Sequence, residues 1–213
     1  MIQEILVVDD SVLDRKLVWQ LLSKSGYVVH LADSASRALE IVDRVRPALV
    51  LLDVMMPEIS GLHVLGEIRK RYSVLEMPVI MITANAESED VVAALRMGAN
   101  DYITKPIDLA VTLRRAQNHI QTSALAKVAA KLKESEAICA MITTYNHEIN
   151  NPLAAAILTL ERLSESHPGD PLFDKLESAL YRITNIVKKI DEVAKRQVVE
   201  YTPYVGDSKM VKI

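Results

Sequence analysis

The stretch Ala48-Leu-Val-Leu-Leu-Asp53 is a short, continuous apolar run that ends in a carboxylate. Such a run is typical of a strand that is buried on both faces, as in a parallel sheet. Similar runs occur at residues 5–8, 27–31, 78–82 and 102–103. Amphipathic helical patterns separate them, at about residues 12–24, 35–45, 61–71 and 88–97. This alternation predicts a doubly wound α/β domain with a five-stranded parallel sheet and a ligand site at the carboxyl ends of the strands.

Composition restricts the class of protein. The chain has 213 residues, of which 50% are hydrophobic, and this suffices for a sizeable core. Its formal net charge is -3 and no Lys/Arg run occurs, so neither a nucleic-acid nor a membrane partner is expected. Cys139 is the single cysteine, which excludes an intramolecular disulfide and fits a reducing compartment. With no apolar stretch near the roughly 18 residues that span a bilayer, we expect a cytoplasmic protein.

The second half of the chain has a different, purely helical pattern. From Asp108 to about Leu163 it contains no Gly and one Pro, and a second helix is predicted to open at Pro171. Each helix carries an apolar seam at alternating spacings of four and three, formed by Ile142, Ile149, Leu153, Ala156, Leu160 and Leu163 and by Leu176, Leu180, Ile183, Val187, Ile190 and Ala194. A single hairpin would leave this seam uncovered, so we predict that two chains pair as a homodimeric four-helix bundle.

Three carboxylates follow the predicted strands. Asp9 and Asp10 come directly after the first strand and Asp53 directly after the third, so all three should meet at one edge of the sheet. Clustered carboxylates without nearby positive charge suit Mg²⁺. Asp9 and Asp10 could instead merely cap the following helix.

Two further polar residues favour the metal site over capping. Thr83 ends the fourth predicted strand and Lys105 follows the fifth, again at the carboxyl edge. A carboxylate nucleophile, a divalent cation, an ammonium and a hydroxyl are the groups needed to accept a phosphoryl group and neutralise its oxygens.

These residues carry a resemblance to response-regulator receiver domains. The matching motifs are Asp9-Asp10, Asp53 with Met56-Pro57 and Gly61, Thr83-Ala84, and Gly98-Ala-Asn-Asp-Tyr-Ile-Thr-Lys105-Pro106. The resemblance covers about residues 1–120 and implies a flavodoxin-like receiver.

The resemblance also implies a role for each site residue. Asp53 would be the phosphoacceptor, and Asp10, Asp53 and the Met55 carbonyl would hold Mg²⁺, with Asp9 as a supporting acid through water. Lys105 would bind the phosphoryl group. Thr83 and Tyr102 would form the pair that reorients on phosphorylation. The Lys105-Pro106 bond is expected to be cis.

The stretch Tyr145-Asn-His-Glu-Ile-Asn-Asn-Pro-Leu153 resembles the H-box of histidine kinase dimerisation and phosphotransfer domains, with His147 as the phosphoacceptor. At about 100° per residue, His147 lies about 160° from the seam and should face solvent with Asn151, while Glu148 lies at the flank. Alone, a His-Glu pair on a helix surface is ordinary. Pro152, however, costs a helix about 3 kcal/mol, and kinase bundles of this family have a proline there.

Such kinases continue into an ATP-binding domain, whereas few residues follow Val198 here and no phosphate-cradling Gly loop occurs. An autonomous ATP-dependent kinase is therefore not expected. We predict a receiver at residues 1–120, a phosphotransfer-like hairpin at 121–200 and a tail at 201–213.

Three functions remain open for the hairpin: a phosphorelay through His147, a non-catalytic docking module controlled by the receiver, or a phospho-aspartate phosphatase using Asn151. The partners implied are a second copy of the chain and an upstream histidine kinase or phosphotransfer protein. A downstream receiver is a further possible partner.

Overall fold

The computed structural model describes residues 3–84, 89–166 and 170–200, with side chains in the last segment described through residue 193. The chain divides into two compact units, Met1–Val128 and Ala129–Ile213. We call them the receiver unit and the hairpin unit, and describe each by itself. The predicted tail at 201–213 lies outside the described residues. None of the described helices is long and apolar enough to cross a membrane.

Strands and helices alternate along the receiver unit. Its strands are β1 (Glu4–Val8), β2 (Val28–Ala32), β3 (Leu49–Asp53), β4 (Val79–Thr83) and β5 (Asp101–Thr104). Its helices are α1 (Val12–Lys24), α2 (Ala35–Val45), α3 (Gly61–Arg69), α4 (Glu89–Arg96) and the first part of α5 (Leu109–Ser166). The predicted elements are confirmed to within a few residues, which is the usual uncertainty of helix and strand ends.

The five strands form one parallel sheet in the order β2-β1-β3-β4-β5. Every residue of β3 and β4 is buried, because helices cover both faces of the sheet. Leu6, Leu52 and Met81 pack with α2, α3 and α4 on one face. Val7 and Ile80 pack with α1 and α5 on the other. The predicted doubly wound, flavodoxin-like architecture is therefore confirmed.

The hairpin unit consists of the remainder of α5 and of α6 (Pro171–Glu200). Asp170 caps α6, since its carboxylate accepts the Leu172 N–H at 3.0 Å. The predicted all-α hairpin is confirmed. Pro152 lies inside α5, as its position in the sequence indicated.

The apolar seam is only partly covered within one chain. Leu153 and Val187 are buried, whereas Ile149, Ile183 and Ile190 are between 43% and 47% exposed. The side chain of Ala194, which was predicted to belong to the seam, lies outside the described residues. An apolar row therefore remains open to solvent along the hairpin of a single chain.

Candidate functional site

The polar residues singled out by the sequence meet at the carboxyl edge of the sheet. Asp9 and Asp10 directly follow β1, Asp53 is the last residue of β3, and Lys105 directly follows β5. One carboxylate oxygen from each of the three aspartates lies within 4.8 Å of the other two. Asp9 and Asp53 are buried, whereas Asp10 is exposed. The predicted convergence of the carboxylates is thus present in the structure.

Lys105 provides the positive charge of this cluster. Its Nζ lies 2.8 Å from Oδ2 of Asp53 and 3.0 Å from Oδ2 of Asp9. It also forms an ion pair at 3.3 Å with Oδ2 of Asp14, a residue of the first turn of α1. Asp14 was not predicted from the sequence as a site residue. An acid in a first helical turn is ordinary because it complements the helix dipole, so only the folded structure reveals its proximity to Lys105.

The electrostatics follow from burial and crowding. Burial raises the pKa of Asp9, and the neighbouring Asp53 charge adds to this effect, while hydrogen bonds from Lys105 and the Ser11 N–H oppose it. Burial alone would lower the pKa of Lys105, but its hydrogen bonds and charge interactions with Asp53 and Asp9 raise it above the usual range. Lys105 is therefore a permanent cation in the physiological pH range.

The carboxylate of Asp53 is held by the loop that follows β3. Its Oδ1 accepts the Met55 N–H at 3.2 Å, while its Oδ2 accepts from Lys105. The loop closes where the Gly61 N–H donates to the carbonyl of Val54 at 3.0 Å. Met55 is 68% exposed, and the role of its carbonyl as a metal ligand stays a prediction.

Thr83 and Tyr102 share one face of the sheet. Thr83 pairs with Thr104 and Met81 with Tyr102, and alternate residues of a strand point to the same side. Thr83 is buried, and Tyr102 is partly buried against the core. The Thr83 carbonyl accepts the Lys105 N–H at 2.7 Å, which joins the ends of β4 and β5. The Lys105–Pro106 peptide bond is cis, as expected.

The donor set of this cluster fits Mg²⁺. Three carboxylates that meet within 4.8 Å supply hard oxygen ligands, and one lysine does not balance their charge. Asp10, which is exposed, is the carboxylate open to a hydrated ion. The arrangement can therefore accept a divalent cation and an anionic group beside Lys105.

His147 lies in the hairpin unit on an exposed part of α5. Glu148 and Asn151 are also exposed, so all three side chains are accessible to a partner. The preceding residue, Asn146, is only 8% exposed, and its Nδ2 donates to Oδ1 of Asp191 on α6 at 3.4 Å. This polar pair, which was not predicted from the sequence, links the two helices one residue before the histidine.

Two family models match the chain, one after the other along the sequence. Residues 5–117 match the model of the response regulator receiver domain. The chain belongs to the response regulator receiver family. After this receiver, residues 137–198 match the His Kinase A (phospho-acceptor) domain, the second family predicted from the sequence. A receiver joined to a phospho-acceptor domain places the protein in two-component signalling.

Two curated relatives match the receiver. An uncharacterized 14.6 kDa protein of Leptolyngbya boryana is 40% identical over 116 residues, which make up 54% of this chain and 88% of that protein. A protein-glutamate methylesterase/protein-glutamine glutaminase of Trichodesmium erythraeum is 41% identical over 128 residues, or 58% of this chain. The chain spans only 36% of the methylesterase.

Solved structures match the same region. A CheY-like response regulator receiver domain from Methanospirillum hungatei is 28% identical, with a TM-score of 0.55 over 59% of this chain and 99% of that one. NtrX from Brucella abortus is 36% identical, with a TM-score of 0.59 over 63% of this chain and 31% of NtrX. The receiver fold is therefore shared both with an isolated receiver domain and with a protein, NtrX, of which this chain covers less than a third.

Proposed function

We propose that the receiver accepts a phosphoryl group on Asp53 in a Mg²⁺-dependent reaction. The observation that carries this proposal is the position of Lys105, whose ammonium lies 2.8 Å from Asp53 Oδ2 inside a cluster of carboxylates. A buried carboxylate beside a fixed cation suits phosphoryl transfer to an aspartate, because the cation stabilises the charge on the phosphoryl oxygens.

Each of four residues would have its own role in the phosphoryl transfer. An oxygen of Asp53 attacks phosphorus, while the phosphorus–nitrogen bond of a donor phosphohistidine breaks and the imidazole leaves with the electron pair. Lys105 exchanges its contact with the carboxylate for one with a phosphoryl oxygen. Thr83, on the neighbouring strand end, and Tyr102 reorient to report the new group.

Metal binding would fall to the same cluster. Asp10, Asp53 and the Met55 carbonyl would hold Mg²⁺, with Asp9 supporting the ion through water. The cation supplies positive charge that offsets the phosphoryl oxygens during transfer. Asp53 would thus be both a ligand and the nucleophile.

Labelling with a small phosphodonor tests this proposal. We expect radiolabelled acetyl phosphate with Mg²⁺ to label the wild type, and expect Asp53→Asn to abolish the label. Asp43→Asn is the matched control, because Asp43 is an exposed carboxylate of α2 that pairs with Arg71. Label that persists in Asp53→Asn, or that disappears in Asp43→Asn, would contradict the assignment.

For the hairpin unit we propose phosphorelay through His147. The exposure of His147, Glu148 and Asn151 supports this function, since a phosphoacceptor must be reached by a receiver or a kinase. Glu148 would orient or deprotonate the imidazole. Replacing His147 with Gln should abolish labelling of the hairpin and spare Asp53.

Two alternatives use the same surface. The hairpin could act as a docking module without chemistry, or Asn151 could position water against a partner's phospho-aspartate. Loss of phosphatase activity in Asn151→Ala but not in His147→Ala would favour the phosphatase. If both variants keep wild-type transfer and dephosphorylation rates, the docking module is favoured.

We also propose that the hairpin unit dimerises. Ile183 and Ile190 are about half exposed in one chain, and pairing two hairpins would cover them. Ile183→Glu with Ile190→Glu should therefore give monomers in analytical ultracentrifugation. Lys188→Gln, a charge change at an exposed site on the same helix, should leave the dimer intact.

A further inference from the structure

Asp14 is a third carboxylate on Lys105, in addition to the two from the strand ends. Its Oδ2 lies 3.3 Å from Lys105 Nζ, compared with 2.8 Å for Asp53 and 3.0 Å for Asp9. The groups differ in exposure: the side chain of Asp14 is 29% exposed, whereas those of Asp9 and Asp53 are 1% and 4% exposed. Asp14 therefore contacts the lysine from the solvent side.

Asp14 adds a negative charge to those of the three carboxylates at the candidate metal site. Among the described residues, the carboxylates that converge for a cation are Asp9, Asp10 and Asp53, and Asp14 is not one of them. One Mg²⁺ and the ammonium of Lys105 together neutralise the converging three. Arg15 also brings a positive charge to this edge, where its Nη1 donates to the Asp9 carbonyl, but the ion pair of the Asp14 carboxylate is with Lys105. Asp14 thus places a negative charge at the outer side of the site.

We propose that Asp14 is a positioning and selectivity residue, which shares the ammonium of Lys105 and repels free anionic phosphodonors at the entrance to the Asp53 site. This inference rests on the proposed phosphorylation of Asp53. A donor group carried by a protein partner gains additional binding energy from the protein surface, which a small donor lacks. Asp14 thus favours transfer from proteins over transfer from free acyl phosphates.

The physical signature of this role is its dependence on the charge of the donor. The Coulomb energy between Asp14 and a donor is proportional to the donor's charge, and it weakens with salt. Acetyl phosphate is mainly a dianion near neutral pH, and phosphoramidate is mainly a monoanion. In both reactions Asp53 bonds to phosphorus, and the donor leaves with the electron pair of the broken bond, as acetate or as ammonia.

The test compares half-saturating donor concentrations for phosphorylation of the wild type, Asp14→Asn and Asp14→Glu at saturating Mg²⁺. For Asp14→Asn we expect the half-saturating concentration of acetyl phosphate to fall about three- to tenfold, and that of phosphoramidate to fall about two- to threefold. Both decreases should shrink as ionic strength rises. Asp14→Glu keeps the charge and should restore values near the wild type. Asp14→Ala serves in place of Asp14→Asn if the latter misfolds.

Glu40→Gln is the matched control, because it removes one charge from an exposed position of α2. It should leave the half-saturating concentrations of both donors unchanged. The role of Asp14 would be overturned if Asp14→Asn left the half-saturating concentrations unchanged or lowered them equally for both donors. It would also be overturned if Glu40→Gln lowered them as much as Asp14→Asn does. A wild type that neither donor labels, or an Asp53→Asn variant that still becomes labelled, would overturn the proposed function and this inference together. The two failures are therefore distinguishable.

Discussion

A Cβ atom at Gly61 would lie 2.0 Å from the backbone carbonyl oxygen of Asp53. The first residue of α3 therefore packs directly against the end of β3 that carries the carboxylate of Asp53. Real Cβ atoms essentially never approach a heavy atom so closely, and a backbone carbonyl cannot rotate away as a side chain can. Glycine at this position is thus a requirement of the site's geometry.

Gly61→Ala should accordingly displace the β3–α3 loop and the carboxylate of Asp53. We expect a loss of about 2 kcal/mol or more in the free energy of unfolding, and severely reduced phosphorylation. Gly66→Ala is the control within the same helix, because its Cβ would meet only the Met97 side-chain end at 3.5 Å. It should be neutral or stabilising by about 0.5–1 kcal/mol. Equal stability of the two variants in urea denaturation would contradict this account.

Asp53→Asn should abolish phosphorylation with little cost to folding. The substitution keeps the shape of the side chain and removes one of the crowded carboxylates, while it also weakens the hydrogen bond from Lys105. These effects oppose each other, so we expect a change within about 1 kcal/mol in the absence of Mg²⁺, with a gain if repulsion dominates. Urea denaturation in EDTA measures it. A large loss would be inconsistent with a pre-formed acidic pocket.

Asp9 should make the receiver less stable as the pH rises. Burial, with the Asp53 charge, raises its pKa from the ordinary value of 3.8, so the folded chain binds more protons than the unfolded chain just above that value. The contribution of Asp9 to stability therefore falls as the pH rises from 3.8 through the folded pKa. In EDTA, the stability of Asp9→Asn relative to the wild type should increase over this window. A constant difference, or one that decreases with pH, would contradict the raised pKa.

Arg46 gives a prediction about stability that is independent of the site. It ends α2 with a φ of 53°, in the left-handed region that favours glycine. Arg46→Gly should therefore stabilise the receiver by about 0.5–1 kcal/mol. Arg44→Gly, which places glycine in the last turn of the same helix, should destabilise it by about 1 kcal/mol. Thermal unfolding that moves both variants in the same direction would refute this argument.

Most of the receiver fold can be predicted from the sequence, because the patterns that indicate its strands and helices are local. The buried run that ends at Asp53 and the polar residues after the other strands are sufficient to predict the sheet and the polar cluster at its carboxyl edge. Parallel strands bring their carboxyl ends together, so the topology alone predicts that Asp9, Asp10 and Lys105 lie close to one another. Helical periodicity likewise predicts that His147 lies on the side of its helix away from the apolar seam.

The contacts that the sequence did not predict depend on side-chain reach across the fold. Asp14 contacts Lys105 although 91 positions separate them, and its place in a first helical turn has an ordinary explanation. Asn146 and Asp191 interact between two helices whose relative register no local pattern specifies. The burial of Asn146 is likewise set by the packing of α6 against α5.

The most direct test of the account is phosphotransfer from a radiolabelled phosphohistidine kinase to the wild type, Asp53→Asn and His147→Gln. The acid and base stability of the label identifies its bond, because acyl phosphates are labile in base and phosphohistidine is labile in acid. We predict base-labile label on the receiver of the wild type and of His147→Gln, and none on the receiver of Asp53→Asn. Base-labile label on the Asp53→Asn receiver would contradict the central claim that Asp53 accepts the phosphoryl group.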